Sequence, residues 1–385
     1  MTVRERSWPI LPVGADGGIQ LESDALPRVT HTVDGVDLNV IWAEVEAVVK
    51  KWNANRSALS ALLAFFHTNS ADAIPQSSDL DKFEKATELG VPEALRPPSN
   101  YLLLGYTFDD YDKASRFSWR ALRDMTADQV RATLNYALEA DNRLVNGTVL
   151  QRLFDPAQEE NENGTPVYGM WTGNDGIKPP SYLGKTFAAN HNHYLTSGAT
   201  QVDSADVELL IKSVVEHGFG LDPGSQILLL VNPAQLEYIS SFRAGVENAS
   251  GVVANHDFVP SLGAPAFFTP NPIVGDRAPK DIEGLRIAGS YGLAWIVALD
   301  DIPENYMATV ATYGNNSPGN AIGVREHVNP NYKGFRVIPG PVPGYPISES
   351  FYTRAFGVGT RRRGQAAVMQ IKASGSYEAP EIYRS

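Results

Sequence analysis

TADQVRATLNYALEADNRLVNGTVLQRLFDP, residues 126–156, is the stretch on which the fold turns. Thr126 is a good helix N-cap, and Gln129 three residues on completes a capping box. Val130, Leu134, Ala137, Leu138, Leu144, Val145, Val149 and Leu153 recur at three- and four-residue spacings, which marks one apolar stripe. Pro156 stops the pattern. The spacing predicts a helix over residues 126–154, about 42 Å long at 1.5 Å per residue. That is more than twice the ordinary globular length. Gly147 is its one interior glycine and weakens or bends it.

Upstream, YDKASRFSWRAL (residues 111–122) follows a turn around 109–112. Within it, residues 114–122 alternate: Phe117, Trp119 and Ala121 face one way, Arg116, Ser118 and Arg120 the other. That is the period of a half-buried strand. Residues 101–104 form another apolar strand. Before them, residues 69–100 are polar and broken by Pro75, Pro92, Pro97 and Pro98, with one short helical piece at 79–89. A connection this long is unusual in a compact domain; it is either disordered or stretched across something else. Residues 37–66 hold an amphipathic helix marked by Leu38, Ile41, Trp42, Val45, Val48, Val49 and Trp52. A second apolar run, 59–66, follows it. The pair packs either on its own core or on a neighbouring surface. Residues 1–36, with Pro9, Pro12 and Pro27, read as an extended arm or a disordered tail.

Downstream, residues 155–200 are loop-rich. A helix starts at a Ser204 N-cap and runs to Gly218. A buried strand at 227–231 leads through Asn232-Pro233 into a helix over 234–242, a start that suits proline at the first helical position. Strand signals then dominate, at 284–288, 293–298, 306–312 and 334–339. PGPVPGYP (residues 339–346) is a hinge or boundary. Two strands, 352–358 and 366–373, flank the basic turn TRRRG at 360–364.

Composition narrows the function classes. A chain of 385 residues can bury one large core or several. Its net charge of −12 argues against a broad nucleic-acid-binding face. With no cysteine, disulfides, thiolate catalysis and cysteine zinc sites are excluded. No stretch has the apolar length of a membrane span, and residues 1–10 lack the apolar core of a secretory signal, which places the chain in the cytoplasm of its cell. No GxSxG elbow, phosphate-binding loop or HExxH occurs. His191-Asn192-His193 offers two same-side ligands from a strand, but a metal needs a third and only five other histidines exist. No metal or cofactor is expected. Arg361-Arg362-Arg363 is the one basic cluster. It contacts acidic groups of a neighbouring chain or a nucleic-acid backbone, or else it is a solvated hairpin tip. The acidic balance elsewhere favours the protein contact.

The order of parts resembles a known family. An arm, a long excursion ending in YDKASRFSWRAL, a very long capped helix containing ALEADNRLVNGTVLQRLF (137–154), a mixed region with the strand–Asn-Pro–helix turn, and a terminal strand pair SFYTRAFGVGTRRRGQAAVMQIKA (350–373) follow in turn. This resembles the α+β Hong Kong 97-type fold of tailed-phage major capsid proteins, most closely those of phages infecting actinobacteria. The resemblance covers roughly residues 30–375. It implies an arm and helical segment at 1–67 and an extended loop at 68–122 reaching over an adjacent subunit. It implies a peripheral domain at 123–199 and 346–385 with residues 126–154 as its spine, and an axial domain at 200–345. It also implies a non-catalytic subunit that self-assembles into hexamers and pentamers of an icosahedral shell, enclosing double-stranded DNA without sequence-specific binding. The shell is assembled in the host bacterial cytoplasm, away from any membrane. Its other partners are a portal, in some members a decoration protein, and a scaffolding protein, which is expected to be a separate chain because nothing before the arm has room for one. Subunit-contact candidates are Lys82, Lys85 and Lys113 in or near the loop, Arg116 and Arg120 beside it, and Arg361, Arg362 and Arg363. Some members cross-link lysine to asparagine, but no pattern here fixes a partner asparagine. An encapsulin-like nanocompartment shell and a soluble α/β enzyme are the alternatives.

Overall fold

The computed structural model describes residues 29–75, 85, 86, 91, 101–248, 250–266, 273, 275–340 and 347–382. Most of the arm, most of the helical piece at 79–89, Lys82 and most of the 339–346 tract lie outside the described residues. In chain order, helices α1 (Leu38–Ala54) and α2 (Ala58–Leu63) precede strands β1 (Ala64–His67), β2 (Ala71–Pro75), β3 (Tyr101–Gly105) and β4 (Asp109–Ser118). Helices α3 (Trp119–Asp124) and α4 (Ala127–Phe154) lead to β5 (Glu159–Glu160), β6 (Pro166–Val167) and β7 (Tyr194–Thr196). Next come α5 (Ser204–Val215), β8 (Gln226–Val231), α6 (Pro233–Ile239), β9 (Phe258–Pro260), β10 (Asp281–Ile282), β11 (Leu285–Arg286), β12 (Gly289–Tyr291) and β13 (Ala294–Ala298). The remainder is β14 (Tyr306–Thr312), β15 (Ile322–Glu326), β16 (Phe335–Pro339), β17 (Ile347–Thr360) and β18 (Ala366–Gln370).

Helix α4 has the predicted 28 residues. Its capping box is formed: the Thr126 N–H donates to Gln129 Oε1 at 2.9 Å, and the Gln129 N–H approaches Thr126 Oγ1 at 3.4 Å. A further cap comes from outside the helix, because Asp34 accepts from the Ala127 N–H at 3.1 Å. A carboxylate there also suits the positive end of the helix dipole.

The chain divides into two compact units, and the division falls inside α4. The first unit comprises the described residues of Met1–Ala54, with Asp112–Glu139 and Phe335–Thr353. Its core is small. Leu134, Ala137 and Leu138 of α4 meet Phe335 and Tyr352, with Val45, Val49 and Trp52 of α1 packed against them. The rings of Phe335 and Tyr352 stack at 5.8 Å. The Asn53 side chain fastens α1 to β16 by donating to Phe335 O at 2.7 Å and accepting from Phe335 N at 2.8 Å.

The second unit comprises Asn55–Tyr111, Ala140–Gly334 and Arg354–Ser385. It is built on a mixed sheet of order β7-β18-β14-β8-β13-β12-β9. β8 reads QILLLV because both its faces are buried. Leu228 and Leu230 enter one core with Val145, Val149, Leu150, Leu153 and Phe154 of α4. Ile227, Leu229 and Val231 enter the other with Val207, Leu210 and Val214 of α5. In a second sheet β1 pairs in parallel with β15, and β15 pairs antiparallel with the Phe356–Thr360 end of β17. Gly357 of β17 is required there: a Cβ would lie 1.8 Å from the Thr107 carbonyl oxygen.

Several expectations are corrected. The strand expected over 114–122 starts earlier, at Asp109, and ends at Ser118, whose hydroxyl accepts from Ala121 N and caps α3. Residues 109–112 are therefore strand, not turn. The apolar run 59–66 splits into α2 and β1, because it is buried between α4 and β15 rather than forming one face of a helix. The cap of α5 is Asp203 rather than Ser204, in a reciprocal box with Asp206. Helix α6 ends at Ile239, with Asn232 as its cap and Pro233 at its start. Within 284–288 only Leu285–Arg286 is strand, folded back on Asp281–Ile282 through Glu283 and Gly284, both at positive φ. The terminal strands are not a pair. β17 bonds β15 in one sheet, while β18 lies between β14 and β7 in the other. The basic turn is a crossover between sheets.

Candidate functional site

That crossover places the three arginines differently from one another. Arg363 is 3% exposed. Its Nε donates to Gly169 O at 3.0 Å, and its Nη2 donates to Met170 O at 3.1 Å and to Asp175 Oδ2 at 2.5 Å. The guanidinium lies over the rings of Trp171 at 4.1 Å and Tyr168 at 4.6 Å. Burial pushes its pKa below the usual guanidinium value, while Asp175 opposes the shift. Arg361 donates to Asp72 Oδ2 at 3.2 Å and to Pro318 O at 2.5 Å. Asp72 also accepts from the buried Tyr106 hydroxyl at 2.7 Å. Burial pushes the Asp72 carboxyl up, but hydrogen bonds from Tyr106, Asn69 and Arg361 outweigh it and hold it low. Burial likewise pushes His67, edge-on to Tyr106, down to about 4. Only Arg362 is exposed. The TRRRG turn is therefore neither a solvated tip nor a three-arginine contact surface, because two of its side chains are spent inside the subunit.

Arg363→Met is expected to destabilise the second unit by about 3–5 kcal/mol, since it strands the Asp175 carboxylate in a mostly buried setting. The double variant Arg363→Met/Asp175→Leu should recover a large part of that loss. Denaturant unfolding of both variants against the unmodified chain measures it.

The other contact candidates lie at the surface. Lys113 and Arg120 are exposed, as is Lys85. Arg116 pairs with Glu349 at 2.7 Å with 63% of its side chain exposed, a geometry worth little to stability.

The fold also supplies what the His191-Asn192-His193 tripeptide lacked. His217, just past the C-terminal end of α5, joins the pair. The Nε2 atoms of His191 and His193 are 3.1 Å apart, those of His191 and His217 2.9 Å, and those of His193 and His217 3.1 Å. His193 is fully buried. Its backbone is pinned on both sides: its N–H donates to Trp171 O at 2.7 Å, and its carbonyl accepts from Val368 N at 2.9 Å. Its Nδ1 is 2.6 Å from Ala366 O. His217 stacks on Phe187 at 4.0 Å. Burial lowers all three pKa values, to about 3 for His193 and about 2 for His217. His217 also lines a cleft of about 420 Å³ with Trp171, Tyr182, Phe219 and the Arg361–Gly364 turn. Asp72, Asp175 and His217 carry no local sequence signal; each meets its partner only through the fold.

No protein-family model matches the chain, and no curated protein matches it. Solved structures do. The mature capsid of bacteriophage PhiM1 is 10% identical, over 83% of this chain and 89% of that one, with a TM-score of 0.49. The capsid of a native GTA particle is 12% identical, over 94% and 98%, with a TM-score of 0.45. A chain of Mycobacterium phage Patience is 38% identical over 98% of both chains, with a TM-score of 0.72. The chain belongs to the major capsid proteins of tailed bacteriophages. The architecture of this capsid protein is the Hong Kong 97-type fold, and its role is structural, as a self-associating subunit of the virion shell. Among the described residues of the capsid protein, no helix is long and apolar enough to cross a membrane.

Proposed function

We propose that the chain forms the pentamers and hexamers of an icosahedral shell that encloses the double-stranded DNA of a tailed phage, and that it catalyses no reaction. The observation that carries this reading is the end-to-end match, 38% identical over 98% of each chain, to a mycobacteriophage protein. A net charge of −12 supports confinement of DNA without sequence-specific binding. Assembly proceeds in the host bacterial cytoplasm with a separate scaffolding protein and a portal.

Within the subunit, residues 1–67 act as arm and helical segment, and residues 68–122 as the loop laid over a neighbour. Residues 123–199 and 346–385 form the peripheral domain with α4 as spine, and residues 200–345 the axial domain. The exposure of Lys85, Lys113, Arg116, Arg120 and Arg362 supports them as contact residues, and many modest contacts over many copies add up to a stable shell.

The test is expression of the untagged chain with and without its phage's scaffolding protein, followed by sedimentation and negative-stain microscopy. Capsomers or closed shells are expected. Small discrete oligomers under both conditions would overturn the reading. Shells that fill with a protein cargo and take no DNA in packaging would instead favour a nanocompartment.

A further inference from the structure

We propose that His191, His193 and His217 form a structural transition-metal site, with zinc as the fitting ion, that ties the segment before β7 to the end of α5 and to β18. It is the only cluster of potential metal ligands of this kind among the described residues.

Ligand geometry is the first argument. Three Nε2 atoms converge with mutual separations of 2.9–3.1 Å. An ion about 2 Å from each imidazole nitrogen would sit about 1 Å above their plane, as the cap of a tetrahedron.

Hydrogen-bond accounting is the second. His193 Nδ1 faces a carbonyl oxygen at 2.6 Å, so Nδ1 carries the proton and Nε2 presents a lone pair. A neutral imidazole nitrogen either donates or accepts, never both. Whatever protons His191 and His217 place on Nε2, hydrogen bonds cannot satisfy all three contacts: at least one remains donor against donor or lone pair against lone pair. A cation at the centre accepts all three lone pairs at once.

The surroundings are the third. The Nδ1–H to Ala366 bond is the outer contact that orients a ligating histidine and fixes its tautomer. His193 is held rigid by its backbone bonds, and His217 by Phe187. Glu216 Oε1 lies 3.6 Å from His191 Nε2 and itself pairs with Lys185, which positions a carboxylate to hold a metal-bound water. The cleft beside His217 gives the ion an entry path. Imidazole ligands suit zinc, copper or nickel rather than magnesium or calcium. With His193 fully buried and its backbone pinned to Trp171 on one side and Val368 on the other, the site's effect is on stability. It would clamp the crossover between β17 and β18 at the Ala366 end.

The experiment uses the full-length untagged chain. It is stripped with a chelator, dialysed, and titrated with Zn²⁺ alone, with metal content read by elemental analysis. One zinc per subunit is expected, with a rise of a few degrees in Tm. Co²⁺ in its place should give the visible absorption of a four-coordinate nitrogen–oxygen site. His191→Gln and His217→Gln, both on partly exposed ligands, should each weaken Zn²⁺ binding at least about 100-fold while the stripped protein keeps its unfolding midpoint. Failure of the unmodified chain to retain zinc, or equal zinc uptake and Tm rise in the His191→Gln/His217→Gln double variant, would overturn the proposal.

Discussion

Replacing Leu134 with aspartate is expected to abolish soluble assembly. Leu134 is 7% exposed and sits in the first unit's only cluster of buried apolar side chains among the described residues. Four other buried residues share that cluster, so it has little reserve. Removing the leucine costs about 2–5 kcal/mol in transfer and cavity terms, and the introduced carboxylate must in addition be desolvated or drag its helix turn to the surface. A domain's whole margin is about 5–15 kcal/mol. Tyr136, two residues on, is 70% exposed on the same helix, so Tyr136→Asp is the matched control and should assemble normally. Sedimentation of the two variants beside the unmodified chain decides the matter. Ordinary particles from Leu134→Asp would mean that the buried face of α4 has been misassigned.

Excising residues 77–99 and closing the gap with a short Gly-Ser link is expected to leave a folded subunit that builds no durable shell. The cut is placed to spare the ribbon of β2 and β3, in which Asp72 faces Leu104 and Ile74 faces Leu102. It also spares Asp72 itself, which receives bonds from Tyr106 and Arg361. A deletion beginning at residue 72 would confound loss of the loop with loss of that buried network, at several kcal/mol. The shortened chain should unfold cooperatively at nearly the original midpoint, because it keeps every described side chain of the buried clusters. Its particles, if any form, should fall apart at temperatures or denaturant concentrations that intact shells survive. Heat-resistant shells of normal yield from the excised chain would refute the overlap role of residues 68–122.

The legible parts of this chain were those whose bonds close within a few residues. Thr126 and Gln129 announce the start of α4, and Asn232-Pro233 announces α6, because cap and capped group lie two or three positions apart. β8 was legible because a central strand buried on both faces is a nearly continuous apolar run. The errors share a cause. FSWRAL alternates like a strand, yet the Ser118 hydroxyl turns it into helix α3. Residues 59–66 form one apolar run, yet the register of Ala64–His67 against Ile322–Arg325 makes the last three of them strand. In both places a partner or a single cap outweighed the local pattern.

Sequence by itself determined that α4 would be a capped helix of 28 residues and that the chain would be α+β, and the order of its parts resembled that of phage shell subunits. Each of these follows from local spacing, or from the order in which locally readable parts succeed one another. Only the tertiary structure decided that the two terminal strands join different sheets, that Arg363 is buried against Asp175, that Asp34 caps a helix 93 residues away, and that His217 completes a triad with His191 and His193. Those facts depend on groups that approach only when the sheets and helices pack. Desolvation then makes such groups matter, because a charge or lone pair that water would satisfy in the open chain must find its partner inside the protein.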